Sequence, residues 1–245
     1  MRGNGNRARR DVAVGLALVL VLGCEQEGQG DLTLEEFEIH NAYHLGPPPE
    51  CEIPVSGVIF LAEGTLDLAV AEAYTGYLSI RYAWMDFSDG PEPPRTGIFM
   101  NGVRLRYEAD PHVPMLVESA EARRPTYINL LGRATVGTRL VSPAATEVML
   151  SALEESGADS MRVRVGIRAF GTRTEDGAAV QSPEFVFPIT VCRGCLIVCP
   201  GDADLDPVLP GCQCNCAATT EWSDPLPCHP GQDDPVDCRW VVCDR

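Results

Sequence analysis

Residues 161–169 read MRVRVGIRA, and their alternation of apolar and basic side chains decides the fold class. Successive side chains of a β-strand point to opposite faces, so this pattern predicts a strand with one buried face. The basic face is interpreted as a solvated surface that opposes aggregation, in preference to a grip on a carboxylate or a sulfated sugar. Its members are Arg162, Arg164 and Arg168.

Other segments show the same two-residue period. Residues 65–70 (TLDLAV) and 77–85 (YLSIRYAWM) predict further strands, and residues 184–191 (EFVFPITV) are expected to pair with 161–169 across the loop 171–181. Asn101-Gly102 separates two apolar runs, and both residues of this pair tolerate the positive φ of a two-residue hairpin turn. The sequence therefore predicts a hairpin between residues 98–100 and 103–107.

One segment has helical character. Ser142-Pro143 supplies a cap and a first-turn proline, apolar residues follow at helical spacing, and Gly157 supplies a stop, which predicts a helix over 143–155. Many short strands with one short helix predict a mainly β protein, an immunoglobulin-like β-sandwich over residues 32–191. Its roughly 160 residues are enough to bury a core.

Cysteine defines the remainder of the chain. Nine of the eleven cysteines lie in residues 192–245, a tail with few large apolar side chains, so disulfides are expected to stabilise it. With Cys24 set aside, ten remain and can form five disulfides; Cys51 alone lies outside the tail and is the expected clasp between tail and sandwich. The pairing is open. The candidates are Cys51, Cys192, Cys195, Cys199, Cys212, Cys214, Cys216, Cys228, Cys238 and Cys243.

A metal-binding or redox module is the alternative for part of this tail. Cys192, Cys195 and Cys199 have the spacing of the last three cysteines in the bacterial ferredoxin run, but Ile189 stands where the first belongs. For zinc, only His229 in the tail could add a nitrogen ligand. Outside the cytoplasm thiolate ligands compete with disulfide formation, so disulfides are the preferred interpretation and no cofactor is expected.

Two further sets of metal-ligating residue types occur. Asp202, Asp204 and Asp206 alternate as calcium-loop carboxylates do, but Pro207 and Gln213 occupy the places of the loop glycine and the bidentate glutamate. A standard EF-hand is excluded, which leaves an irregular calcium site or a solvated acidic turn. His40 and His44 lie in a segment of strand and loop character and are interpreted as ordinary residues.

The amino end has the organisation of an export signal. Four arginines precede the apolar residues 12–22, and these 11 residues fall short of the roughly 20 that cross a bilayer. The sequence Val-Leu-Gly-Cys at 21–24 resembles the bacterial lipobox, which implies cleavage after residue 23 and acylation of Cys24, palmitate included. Residues 24–31 would form a lipidated tether. Glu25 favours the outer membrane, and Arg9-Arg10 leaves a twin-arginine route as an alternative.

The lipobox, residues 76–108 (GYLSIRYAWMDFSDGPEPPRTGIFMNGVRLRYE) and residues 182–200 (SPEFVFPITVCRGCLIVCP), continued by HPGQDDPVDC at 229–238, together resemble uncharacterised lipoproteins of myxobacterial type. The resemblance covers most of the mature chain. It implies a β-sandwich-like domain with a cysteine-rich tail on the bacterial outer membrane, on its periplasmic or surface side, and implies no activity.

Charge and motifs narrow the function classes. The net charge is −16 and all 19 basic residues are arginine, so nucleic acid is excluded as a partner. The chain contains no G-x-S-x-G, H-E-x-x-H or phosphate-binding glycine loop, so no catalytic residues are expected. The expected function is a non-enzymatic, membrane-anchored lipoprotein that binds an envelope component, with the loop 86–96 as a contact candidate. The third hypothesis is a glycan-binding surface protein that uses Tyr82 and Trp84.

Overall fold

The computed structural model describes residues 33–53, 58–86, 97–110, 119–198 and 227–238. Within these ranges the chain forms strands and a single α-helix, α1 (Pro143–Ser156). The strands are β1 (Thr33–Tyr43), β2 (Phe60–Leu61), β3 (Gly64–Asp67), β4 (Tyr74–Asp86), β5 (Gly97–Asp110), β6 (Ser119–Asn129), β7 (Arg133–Val141), β8 (Ser160–Arg173), β9 (Ala179–Gln181), β10 (Phe185–Cys192), β11 (Ile197–Val198) and β12 (Val236–Asp237).

Two sheets form the body of the described part of the protein. The first is antiparallel with the order β2-β1-β4-β7. The second has the order β3-β10-β8-β5-β6, with β9 beside the distal part of β8 and a parallel pair between β3 and β10. The predicted mainly β class is confirmed. The immunoglobulin-like arrangement of its strands stays a prediction.

The core lies between these sheets. One cluster of buried apolar side chains includes Leu78 and Ile80 from β4, Val163 and Val165 from β8, and Met149 from α1. Because the cluster draws on both sheets and on the helix, the described elements share a single hydrophobic core. Among the described residues, no helix has the length and apolar character to cross a bilayer.

The predicted strand 161–169 is confirmed within β8, and its apolar face is buried while Arg162, Arg164 and Arg168 are exposed. The expected pairing with 184–191 is also confirmed, since β10 runs antiparallel to β8 with Val191 opposite Met161. Residues 77–85 lie within β4. The prediction for 65–70 is wrong at its carboxyl end, because β3 ends at Asp67 and the amides of Val70 and Ala71 bond to the Asp67 carbonyl in a turn.

The predicted hairpin at Asn101-Gly102 is wrong. β5 runs through this pair, and its register shifts between Met100 and Gly102 against both β6 and β8. Neither residue is among the described residues with positive φ. Strands on both sides hold β5 in place, so the extra residue is accommodated as a β-bulge and the chain does not reverse.

The predicted helix is confirmed with both of its ends. The Ser142 hydroxyl accepts a hydrogen bond from the amide of Ala145 at 3.2 Å, and Pro143 opens the first turn. Gly157 ends the helix with φ 65°, and its amide bonds to the Leu153 carbonyl. The helix buries Met149 and Leu153 in the core.

Candidate functional site

The fully buried carboxylate of Asp67, at the end of β3, holds the loop that carries Cys192 and Cys195. Its Oδ1 accepts hydrogen bonds from the amides of Ala69 at 3.0 Å and Gly194 at 2.6 Å, and its Oδ2 accepts one from Leu196 at 2.9 Å. A buried carboxylate is tolerated only when hydrogen bonds replace its hydration. Asp67 is therefore a main-chain anchor for residues 194–196.

This loop is closed by a disulfide between Cys192 and Cys195, whose Cα atoms are 5.9 Å apart. Gly194 reverses the chain between them with φ 78°, a conformation that favours glycine. The Cys192 carbonyl also accepts a hydrogen bond from the amide of Leu68 at 2.8 Å. Cys192 is 2% exposed whereas Cys195 lies at the surface, so the disulfide is open to solvent on its Cys195 side.

The same three side chains are the described group that could hold a metal. The ligand atoms of Asp67, Cys192 and Cys195 all lie within 4.8 Å of one another. In the disulfide the two sulfurs are bonded to each other and offer no thiolate, so this group is not a metal site in the oxidised protein. Cys199 and the calcium candidates Asp202, Asp204 and Asp206 lie outside the described residues.

The second described disulfide joins Cys51 to Cys228, with Cα atoms 5.5 Å apart and a sequence separation of 177. The expected role of Cys51 as the clasp between sandwich and tail is confirmed. In the chain-entropy model a loop of this length stabilises the fold by about 5 kcal/mol, against about 2 kcal/mol for the short Cys192–Cys195 loop. Cys51–Cys228 is therefore the principal described staple.

The other cysteine predictions are only partly covered. Cys238 is disulfide-bonded as well. The remaining candidates, Cys199, Cys212, Cys214, Cys216 and Cys243, and the lipidation candidate Cys24, lie outside the described residues. The expectation of five disulfides stays a prediction.

Residues 227–238, called here the docked segment, lie against β3 and β4. The Gln232 side chain bonds to both main-chain groups of Thr75, accepting from its amide at 2.8 Å and donating to its carbonyl at 2.6 Å. The amide of Asp67 donates to the Gly231 carbonyl at 2.8 Å. A Cβ on Gly231 would stand 2.7 Å from that of Val70, so only glycine permits this approach.

Asp233 supplies a second, half-buried carboxylate to the same region. It accepts hydrogen bonds from the Thr65 amide at 2.7 Å and from the Tyr74 hydroxyl at 2.8 Å. Burial raises the pKa of Asp233 above its ordinary value, and these hydrogen bonds oppose the rise. Burial, and then the Asp233 charge, raise the pKa of Tyr74, so its hydroxyl remains the donor.

Two histidines bridge the docked segment to the first sheet. His229 Nε2 lies 2.8 Å from the Tyr77 hydroxyl, and burial lowers the pKa of His229. His44 Nε2 lies 3.2 Å from Asp234 Oδ1. The cavity among these side chains is only about 20 Å³, room for little more than a water molecule. The arrangement therefore serves docking and not ligand binding.

The arginine face is occupied by carboxylates of the same chain. Arg162 pairs with Glu63 at 2.8 Å and Arg164 with Glu108 at 3.5 Å, while Arg168 shares Glu184 with another arginine on β5. Exposed pairs of this kind contribute at most about 1 kcal/mol each. The predicted solvated outer face is confirmed as a cross-strand ladder of opposite charges.

One of the two side chains named in the glycan-binding hypothesis is not exposed to a ligand. Tyr82 is 3% exposed and belongs to the core, on the same face of β4 as Leu78 and Ile80. The Trp84 side chain and residues 87–96 of the contact loop lie outside the described residues. His40 is exposed, 3.5 Å from Glu38.

Sequence reasoning did not identify Asp67, Tyr74, Gln232 or Asp233. In the alternating TLDLAV segment Asp67 falls on the polar face, which indicates exposure. The docked segment carries glycine, proline and acidic residues that are typical of a solvated turn. Nothing local to either segment indicates that they meet.

Comparison with known proteins assigns the chain to no family: no family model matches it, and no curated protein matches it. Among solved structures, a protein from Archaeoglobus fulgidus is 12% identical with a TM-score of 0.32, covering 48% of this chain and 82% of that one. A protein of Arabidopsis thaliana is 10% identical with a TM-score of 0.30, covering 62% of this chain and 79% of that one. Similarity at this level carries no argument about function.

Proposed function

We propose that the chain is a non-enzymatic lipoprotein of the bacterial cell envelope, anchored through Cys24, whose β-sandwich binds another envelope component. The observation that carries the proposal is the Cys51–Cys228 disulfide, which ties the carboxyl-terminal region to the sandwich. Disulfides of this kind form and persist in oxidising compartments outside the cytoplasm. They are consistent with the export signal that the first 24 residues resemble.

The length of the tether limits where the partner can be. Seven residues separate Cys24 from Leu32, and an extended chain of seven residues spans at most about 25 Å. The sandwich would therefore stay close to the lipid surface. This proximity favours a partner in the same membrane or in the layer next to it.

Fatty-acid labelling of cells that express the full chain tests the anchor. The wild-type protein should incorporate the label and sediment with membranes, whereas Cys24→Ser should do neither. Gly23→Ala is the matched control, since it keeps a small residue before the cysteine and should be labelled like the wild type. Label retained by Cys24→Ser, or absent from the wild type, would contradict the proposal.

Crosslinking in intact cells, followed by purification under denaturing conditions, tests the binding role. A discrete adduct that disappears with Cys24→Ser is expected, because release from the membrane would separate the sandwich from its partner. A glycan array supplies the complementary readout for a partner that leaves no protein adduct. If the chain stays monomeric under every growth condition and also binds no glycan, the binding role is contradicted.

A further inference from the structure

We propose that the Cys192–Cys195 disulfide is a thiol–disulfide exchange site that accepts electrons from a dithiol partner, while Cys51–Cys228 stays closed. This role goes beyond anchoring and binding, and it does not depend on them. It assigns different tasks to the two described disulfides: one is reversible and the other is structural.

The two cysteines of this disulfide differ in their exposure to solvent. Cys195 is exposed and Cys192 is 2% exposed, so an incoming thiolate can reach only the Cys195 sulfur. In thiol–disulfide exchange, the incoming thiolate attacks one sulfur of the disulfide and the other sulfur is the leaving group. The pair therefore has a defined polarity, with Cys195 as the attacked atom and Cys192 as the leaving group. In the other disulfide, Cys51 and Cys228 are both half-buried. They belong to segments 177 residues apart in the sequence, each of which is also held in place by other contacts.

The position of the loop does not depend on its own disulfide. Asp67 binds the amides of Gly194 and Leu196, and the Leu68 amide binds the Cys192 carbonyl. None of these hydrogen bonds involves a sulfur atom. Reduction would leave them in place, so the two thiols would stay adjacent and could close again.

On reduction, the sulfur of the buried Cys192 must take up a proton. Cys192 Sγ lies 3.6 Å from the carbonyl oxygen of Leu66, which can accept a hydrogen bond from a thiol. The reduced site therefore accommodates Cys192 as a neutral thiol.

The exchange balances in two displacements. A thiolate of the partner attacks Cys195 Sγ, the Cys192–Cys195 bond breaks, and Cys192 leaves as a thiolate that takes a proton. The partner's second thiolate then attacks its own sulfur in the mixed disulfide and releases Cys195, which takes the second proton. The partner is oxidised to a disulfide, and this chain gains two electrons and two protons.

A redox titration of the full wild-type chain, purified without reductant, tests the proposal directly. The protein is equilibrated with graded mixtures of reduced and oxidised dithiothreitol, quenched with acid, alkylated and digested. Trypsin cuts after Arg193 and leaves Cys192 as the only cysteine of its peptide, residues 174–193. Cys192 should become alkylated at a reduced-to-oxidised ratio at least about tenfold lower than Cys51, a difference of about 30 mV. Circular dichroism should stay unchanged over that range.

Reduction of both pairs at the same ratio, or reduction of Cys192 only after the fold is lost, would overturn the proposal. This titration needs no variant and no lipid anchor. Its failure is therefore distinct from a failure of the Cys24 labelling experiment.

Two matched variants test the polarity. Cys192→Ser leaves the exposed Cys195 thiol, which should form a mixed disulfide with Ellman's reagent. Cys195→Ser leaves the buried Cys192 and should react at least about tenfold more slowly. Equal or inverted rates, in variants that keep Cys51–Cys228 and the wild-type circular dichroism, would contradict attack at Cys195.

Discussion

Two aspartates, Asp67 buried and Asp233 half-buried, hold the carboxyl-terminal parts of this chain, and they do so in different ways. Asp67 accepts three main-chain hydrogen bonds, one from Ala69 next to it in the sequence and two from Gly194 and Leu196 in and just after the Cys192–Cys195 loop. Asp233 accepts from one amide and from the hydroxyl of Tyr74. Each carboxylate accepts hydrogen bonds from backbone amides that would bond to water in an exposed loop. Each aspartate is therefore required at its own position.

Asp67→Asn should lower the free energy of unfolding by about 2–3 kcal/mol. The side-chain NH2 of the asparagine would face either the backbone amide of Leu196 or the backbone amides of Ala69 and Gly194. Two hydrogen-bond donors would then oppose each other. Asp159→Asn is the matched control, since that carboxylate is exposed and the change should cost less than about 0.5 kcal/mol. Urea unfolding measures both, and equal stability of the two variants would show that Asp67 does not anchor the loop.

Among the elements, the docked segment and β5 show how neighbours override local signals. Asn101-Gly102 has the composition of a hairpin turn but lies within β5 as a bulge, because β6 and β8 bond to the strand on both sides. The docked segment has the composition of a solvated turn, yet Gln232 pairs with Thr75 as a strand would. In contrast, the helix α1 could be predicted from its own cap, first-turn proline and terminal glycine alone.

Docking of this segment should weaken as the pH falls. Burial lowers the pKa of His229 below 6.5, so the unfolded chain binds its proton first and stability is lost as pH falls through 6.5 toward the folded pKa. Protonation also places a positive charge on a half-buried ring whose Nε2 lies 2.8 Å from the Tyr77 hydroxyl. Amide hydrogen exchange of residues 227–238 at pH 7.5 and 5.5 should show lower protection at the acidic pH, relative to the intrinsic rates.

His229→Gln is the control for this pH dependence, because glutamine can accept from Tyr77 without titrating. Its protection should change less between the two pH values. Asp233 acts in the opposite direction: its pKa is raised, so its contribution declines as pH rises from about 3.8 toward the folded pKa. That contribution and the His44–Asp234 contact are common to both proteins. An equal loss of protection in wild type and variant would exclude His229 as the cause.

At the scale of the whole molecule, the chain is closed on itself by Cys51–Cys228 and by the docked segment. The disulfide and the Asp233 and Gln232 hydrogen bonds all join parts of the chain more than 150 residues apart. Such contacts restrict the unfolded chain far more than local ones do. The docked segment therefore contributes to the stability of the sandwich.

Replacement of both Cys51 and Cys228 by serine should lower the free energy of unfolding by about 5 kcal/mol at most. The matched double variant, Cys192→Ser with Cys195→Ser, removes the same number of sulfurs but should cost only about 2 kcal/mol, because its loop is short. Urea unfolding of both proteins measures the difference. An equal loss, or a larger one for the short loop, would show that loop length does not decide their contributions.

The sequence by itself determined the strand β8 and its pairing with β10, the helix with both caps, the mainly β class and the choice of Cys51 as the clasp. Each of these depends on periodicity, on capping residues or on a count of cysteines, which are local or compositional properties. Only the tertiary structure decided that Asn101-Gly102 is a bulge, that Asp67 is buried and that Cys51 pairs with Cys228. These outcomes depend on which distant segments meet, as Thr65 and Asp233 do across 168 residues, and no local pattern encodes such a meeting.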